Sequence, residues 1–228
     1  MSERSVRSRR RFLLGLAFGL PVLGGGLFGR WRKALAAVPV RQIALHHRHT
    51  GESVRTVYFA DGRYLEEGLR SIDRLLRDWR TDEIVEIDPQ VLDIAYLLQR
   101  QLDLSGPLEV LSGYRSPETN AMLRRRSRAV ARNSLHMYGM AIDLRFPGVP
   151  LSTAHRAALA LQAGGVGYYP SSDFLHIDSG PVRQWTQLGR VQSGRDGGVP
   201  KGAVANRRRA ARQRRLAALK KRLASARR

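Results

Sequence analysis

The sequence predicts an α+β fold, a small and mainly antiparallel sheet flanked by helices in a single domain. Three observations carry this. Strand-like and helix-like segments are mixed without a regular βαβ rhythm. The 228 residues are 43% hydrophobic, enough to bury one core. The net charge of +21 gathers at the two ends of the chain and leaves the middle nearly neutral. No internal repeat is visible.

The elements follow in order. Val40 to Leu45 and Val54 to Phe59 read as the strands of a hairpin, with Thr50-Gly51-Glu52 as turn chemistry. Asp61-Gly62 then breaks the chain. Leu65, Leu69, Ile72, Leu75, Leu76 and Trp79 recur at spacings of three and four, which predicts an amphipathic helix over 65–80. Asp88-Pro89 is an N-cap followed by a first-turn proline and opens a helix to about Leu102. Leu108 to Leu111 is a short strand. Ser116-Pro117-Glu118 starts a helix that runs to about Arg126. Ala141 to Phe146 is a strand, Ser152 caps a helix that stops at Gly164-Gly165, and Phe174 to Asp178 is the last strand.

Charge divides the chain further. Residues 1–37 carry +7, residues 38–196 carry +2 and residues 197–228 carry +12. A nucleic-acid-binding domain should be basic in its folded part, so this distribution argues against nucleic acid as partner. Ser8-Arg9-Arg10-Arg11-Phe12-Leu13 resembles a twin-arginine export signal, followed by an uncharged apolar run from Phe12 to Phe28. Residues 1–37 are therefore expected to be a signal, cleaved near Ala34-Leu35-Ala36, or an uncleaved inner-membrane anchor. Both place the body, residues 38–190, in the periplasm. The tail, residues 191–228, reads either as disordered or as a partly helical basic segment. Its charge suits retention on an anionic membrane or wall surface.

Cysteine is absent. That excludes disulfides, thiolate zinc sites and cysteine nucleophiles, so any metal must sit on His, Asp or Glu. Ser134 to Asp143 has the form S-x-H-x-x-G-x-A-x-D, and Asp173-Phe174-Leu175-His176-Ile177-Asp178 follows downstream. Strand alternation sends Ile142, Leu144, Leu175 and Ile177 to the core, and Asp143, His176 and Asp178 to the other face. With His136 on the loop before the strand, two histidines and a carboxylate could meet, the donor set of a catalytic zinc. His46, His47 and His49 sit at a hairpin tip, where neighbouring residues point apart, which argues against a metal there. Gly164-Gly165-Val166-Gly167 lacks the lysine and helix of a phosphate loop and reads as turn or close-approach glycines. Arg124-Arg125-Arg126, with Arg128 and Arg132, is either a solvated helix face or an attractor of anionic peptides.

At this point the chain resembles a known family, the zinc D-alanyl-D-alanine carboxypeptidase/dipeptidases, and within it the exported murein endopeptidase K branch. The resemblance rests on Ser112-Gly113-Tyr114-Arg115-Ser116-Pro117 with Thr119-Asn120, and on the S-x-H-x-x-G-x-A-x-D block. Leu76 to Arg80, Gly164 to Pro170, and Phe174 to Gly180 with Arg183 and Trp185 extend it across about residues 40–186. It implies that His136, Asp143 and His176 bind Zn2+, that Arg115 binds substrate and steadies the developing oxyanion, and that Ser134 contacts substrate or a ligand. Relatives place a Glu three residues before the last histidine ligand, and Asp173 holds that place here, which makes it the candidate general base. Asp178 competes for that role or serves as a partner that orients a ligand. The expected function is a zinc metallopeptidase cutting amide bonds in peptidoglycan peptides or cross-links. The alternative is a non-catalytic peptidoglycan-binding protein on the same fold.

Overall fold

The computed structural model describes residues 30–127 and 130–187. The expected signal, which falls largely on residues 1–29, and the basic tail lie outside the described residues, as does Arg128. Among the described residues there are five α-helices, α1 (Arg30–Ala36), α2 (Glu66–Leu75), α3 (Pro89–Gln101), α4 (Pro117–Arg126) and α5 (Leu151–Leu161). The strands are β1 (Arg41–His47), β2 (Ser53–Ala60), β3 (Arg63–Tyr64), β4 (Leu108–Ser112), β5 (Ala141–Arg145), β6 (Gly165–Tyr169), β7 (Phe174–Asp178) and β8 (Arg183–Thr186). They form one sheet in the order β3-β2-β1-β4-β5-β7-β6-β8. Neighbours run antiparallel except for β1 with β4 and β6 with β8. The α+β architecture and mainly antiparallel sheet are those the sequence predicts.

The core follows the alternation. Ile43, Leu45, Leu108, Val110, Ile142, Leu144, Leu175 and Ile177 are fully buried, together with Val91, Leu92, Ala95 and Leu98 of α3 and Ile72 at the end of α2. Burying one such side chain contributes roughly 1.5–3 kcal/mol before its entropy cost. Asp88 caps α3 by accepting the Gln90 N–H at 3.1 Å, with Pro89 in the first turn. Among the described residues, no helix is long and apolar enough to cross a membrane.

Four details differ from the sequence expectation. The helix expected over 65–80 ends at Leu75, because Asp78 turns its carboxylate to the backbone N–H groups of Arg80 and Ser116 (3.0 and 2.8 Å). Such local competition with helix hydrogen bonds is the known habit of Asp. Ser152 lies inside α5 rather than capping it; Pro150 holds the cap position and its carbonyl accepts the Thr153 N–H at 2.9 Å. Gly165 to Tyr169 is a strand rather than a turn, and β8 adds beyond it. Finally, packing reaches upstream of residue 38. Trp31 and Leu35 of α1 are buried in the core, and Arg41 Nη2 donates to the Leu35 carbonyl at 3.2 Å.

Candidate metal centre

β5 and β7 pair with Asp143 directly opposite His176, so the two side chains leave the sheet together on the face away from the apolar core. His136 arrives from outside the sheet. It sits in a single 3-10 turn, Leu135–Tyr138, that ends on Gly139 in the left-handed region (φ 60°). That turn is held against the β4 exit loop, where the Arg115 N–H reaches the His136 carbonyl at 3.3 Å.

Three donor atoms meet. Asp143 Oδ1 is 3.2 Å from His136 Nε2 and 2.9 Å from His176 Nδ1, and the two nitrogens are 3.1 Å apart. All three residues are buried. The far nitrogens are already committed. His136 Nδ1–H donates to the Gly113 carbonyl at 2.7 Å, and His176 Nε2–H donates to Asp178 Oδ2 at 3.0 Å. With those protons assigned, each inward atom is a bare lone pair. Three acceptors then converge without a donor between them, which is favourable only around a cation. Ligand bonds of about 2.0–2.1 Å in a tetrahedron place ligand atoms about 3.3 Å apart, close to these separations, so the residues fit zinc.

The surrounding charges agree. Burial pushes the Asp143 carboxyl up, but His136, Arg115 and His176 outweigh it and hold the group well below the usual carboxylate range. Arg115 Nη2 donates to Asp143 Oδ2, and its Nε donates to Ser112 Oγ at 2.8 Å, which leaves Oδ1 to face the histidines. Burial, reinforced by the Arg115 charge, lowers His136 to about 4 and keeps it neutral. Burial also lowers His176, but hydrogen bonds to Asp143 and Asp178 more than offset it, so its pKa rises. The position between those two carboxylates attracts positive charge, for which a proton and a metal compete.

Asp178 is fully buried and pinned by Arg183 at 2.7 and 3.0 Å. It lies behind the His176 ring, on the side of the nitrogen that points away from the donor cluster. Ser134 is buried immediately before the 3-10 turn. Asp173 is not brought to the cluster. The 3-10 turn Pro170–Ser172 ends with Asp173 in the left-handed region (φ 53°), its side chain is 72% exposed, and its carboxylate lies 3.9 Å from Arg145. Arg145 fixes this arrangement by donating to the Ser172 and Asp173 carbonyls, both at 2.8 Å. The histidines of the hairpin tip stay apart from the centre. His47 accepts backbone N–H groups from His49 and Thr50, and His49 stacks on Trp79.

The family model described as peptidoglycan L,D-endopeptidase MepK matches residues 35–185. The chain belongs to this family. The peptidoglycan L,D-endopeptidase MepK of Escherichia coli K12 is 43% identical over 181 residues, covering 78% of this chain and 97% of that protein. The probable peptidoglycan L,D-endopeptidase MepK of Haemophilus influenzae is 39% identical over 183 residues, covering 78% and 96%.

One feature of the centre was not legible in the sequence. Gly167 lies opposite His176 on one side and beside Trp185 on the other. A Cβ on Gly167 would fall 2.6 Å from the Trp185 ring, so the missing side chain is what lets that ring lie against His176, centroids 5.1 Å apart. Trp185 Nε1–H in turn donates to the Tyr169 hydroxyl at 2.9 Å. That fills an acceptor position of the oxygen and leaves its own proton free to donate. Burial raises the Tyr169 pKa, and the charges of Asp143 and Arg115 are felt at the hydroxyl. The available signal was weak, a tyrosine within a glycine-rich run, because the partner that aims it comes from another strand.

Proposed function

We propose that this chain is a zinc peptidase that hydrolyses amide bonds in peptidoglycan cross-links, of the L,D-endopeptidase type. The observation that carries this reading is the convergence of three buried ligand atoms from His136, Asp143 and His176 within 4.8 Å of one another, with the far nitrogen of each histidine already paired to Gly113 or Asp178. The substrate follows from the relatives' names, since the match spans almost their full length. His136, Asp143 and His176 would hold the metal. Bound there, zinc supplies Lewis acidity, polarising a carbonyl and lowering the pKa of a water to about 7. Arg115, anchored on Ser112 and Asp143, donates to the scissile carbonyl oxygen as negative charge develops there. The Tyr169 hydroxyl is a second donor toward the same region. Ser134 contacts the bound peptide, and Asp178 fixes the ring and tautomer of His176. Export by the twin-arginine route would deliver the domain to its substrate already folded.

A second reading, peptidoglycan binding without cleavage, draws on the outward placement of Asp173, which leaves the expected proton acceptor away from the donor cluster. One experiment separates the two. Zinc-loaded protein and a His136→Ala control are incubated with purified sacculi, and the released muropeptides are identified by mass. New products from the zinc-loaded protein alone, cut at an L,D bond, support the peptidase. Equal profiles would sink it.

A further inference from the structure

Asp78-Trp79-Arg80 and the loop Gly113–Ser116 are distant in sequence, yet one buried carboxylate ties them together. Asp78, 1% exposed, accepts the Arg80 N–H on Oδ1 at 3.0 Å and the Ser116 N–H on Oδ2 at 2.8 Å. The Leu76 carbonyl adds a third tie by accepting the Tyr114 N–H at 2.7 Å. Arg80 therefore leaves the backbone beside Arg115, the residue already bound to Asp143. Ser116 also caps α4, whose last turn is Arg124-Arg125-Arg126.

The Arg80 guanidinium is held by stacking. Its carbon lies 4.0 Å from the Trp79 ring centroid, and Trp79 itself stacks on His49 with centroids 4.8 Å apart and planes at 21°. Its charge environment is one-sided. Burial lowers the Arg80 pKa, the Arg115 and Arg126 charges lower it further, and Asp78 alone raises it. That carboxylate is already engaged by backbone N–H groups and by the Ser116 and Thr119 side chains. Among the described residues, no carboxylate lies within salt-bridge distance of Arg80 or Arg126. The Arg115 and Arg126 charges thus both act on Arg80, whose backbone Asp78 ties beside the Arg115 loop, and among the described residues neither Arg80 nor Arg126 makes an ion pair. Such an arrangement suits a planar anion that binds two donors at once.

We propose that Arg80 and Arg126 form, beside Arg115, a subsite for a free carboxylate of the peptide substrate, so that the protein selects stems carrying that charge next to the bond to be cut. The identity of the substrate rests on the peptidase reading; the charge selectivity does not need cleavage. Of the basic run 124–126, this assigns a binding role to Arg126.

The test measures binding and cleavage separately. Cross-linked muropeptides from sacculi are compared with the same fraction after carbodiimide coupling to ammonia, which converts its carboxylates to carboxamides. Dissociation constants are measured by calorimetry for the wild-type chain, Arg80→Gln, Arg126→Gln and the double variant, with Arg80→Lys as the charge-retaining control. The wild type should bind the native fraction at least tenfold more tightly than the amidated one. The double variant should bring that ratio below threefold, and Arg80→Lys should keep part of it. Equal wild-type affinities for the two fractions would overturn the subsite, as would a double variant that keeps the full ratio, because Arg115 would then carry the selectivity. Charge-selective binding without new cleavage products would support the subsite and overturn the peptidase reading.

Discussion

Asp178→Asn replaces one carboxylate oxygen by an amide NH2 of nearly the same size. Its effect can be followed atom by atom. Asp178 Oδ1 accepts from Gly165 N (3.2 Å), Gly180 N (2.8 Å) and Arg183 Nη1 (3.0 Å). Oδ2 accepts from His176 Nε2 (3.0 Å) and Arg183 Nη2 (2.7 Å). An NH2 in the Oδ1 place would face three donors that cannot yield. In the Oδ2 place it faces two, and the imidazole can answer by moving its proton. That orientation wins, so His176 accepts on Nε2 and carries its proton on Nδ1, the atom 2.9 Å from Asp143 Oδ1. A protonated Nδ1 has no lone pair for a metal. Loss of such an orienting partner costs about 10–100-fold in metal affinity, or about 1.4–2.7 kcal/mol. Arg183 also loses its buried counter-charge, which should lower metal-free stability by about 1–3 kcal/mol. Zinc affinity is read by competition with a chromophoric chelator, and the tautomer by nitrogen NMR of the imidazole. A folded variant that binds zinc within twofold of wild type, or that keeps its proton on Nε2, would refute the reasoning.

Four further outcomes are expected. Removing zinc from a sample that holds it at 100 times Kd should cost about 2.7 kcal/mol, or about 5–10 °C in Tm by calorimetry, and His136→Ala should show no zinc-dependent shift. Asp173→Ala should keep at least about a third of the wild-type kcat on muropeptides, since its carboxylate faces solvent and Arg145; a fall of a hundredfold would return the base role to it. Tyr169→Phe keeps the ring stacked on Phe174 but removes the hydroxyl and the acceptor of Trp185, so kcat should drop about tenfold for a loss of about 1 kcal/mol, or about 2–4 °C in Tm; an unchanged kcat would remove that donor from the mechanism. Burial pushes the Asp78 carboxyl up, but hydrogen bonds from Thr119, Ser116 and Arg80 outweigh it and hold the group below its ordinary value. A carboxyl whose folded-state pKa is depressed adds stability that is complete above its unfolded pKa near 4 and is lost as pH falls through the folded-state value. Asp78→Asn should therefore flatten the acid side of the unfolding free energy below about pH 5, measured in urea.

What the sequence disclosed was set by where each residue's partners lie. The hairpin, α3, β5 and β7 were legible because their apolar periodicity reports burial, and burial decides them. The three residues of the candidate metal centre could be picked out because Asp143 and His176 interrupt that periodicity on strands whose other face is apolar. β6 was hidden by its glycines, which weaken a strand on propensity yet are required here. Gly165 leaves room for the Asp178 carboxylate and Gly167 for Trp185. The early end of α2 was hidden because Asp78 is claimed by Ser116, 38 residues away. Asp173 misled for the opposite reason. Its spacing from His176 fits a base, but spacing says nothing of a left-handed residue held outward through Arg145.

Core and chemistry are specified here by a single pattern, and this makes the centre robust. Ile142 with Ile177 and Leu144 with Leu175 are cross-strand partners in the apolar layer, and Asp143 with His176 is the pair between them on the other face. A slip of one residue between β5 and β7 would put Asp143 opposite an apolar partner and carry an ionised carboxylate toward the core. The register that brings the carboxylate to the histidine is thus enforced by every buried aliphatic pair beside it. The outer parts have no such enforcement. Arg80, Arg126, Tyr169 and Asp173 sit on turns, helix ends and strand ends where single contacts decide direction. Substitutions of Arg80, Arg126 or Tyr169 should move substrate choice and rate while leaving metal affinity within about twofold, whereas Asp178→Asn should move metal affinity first.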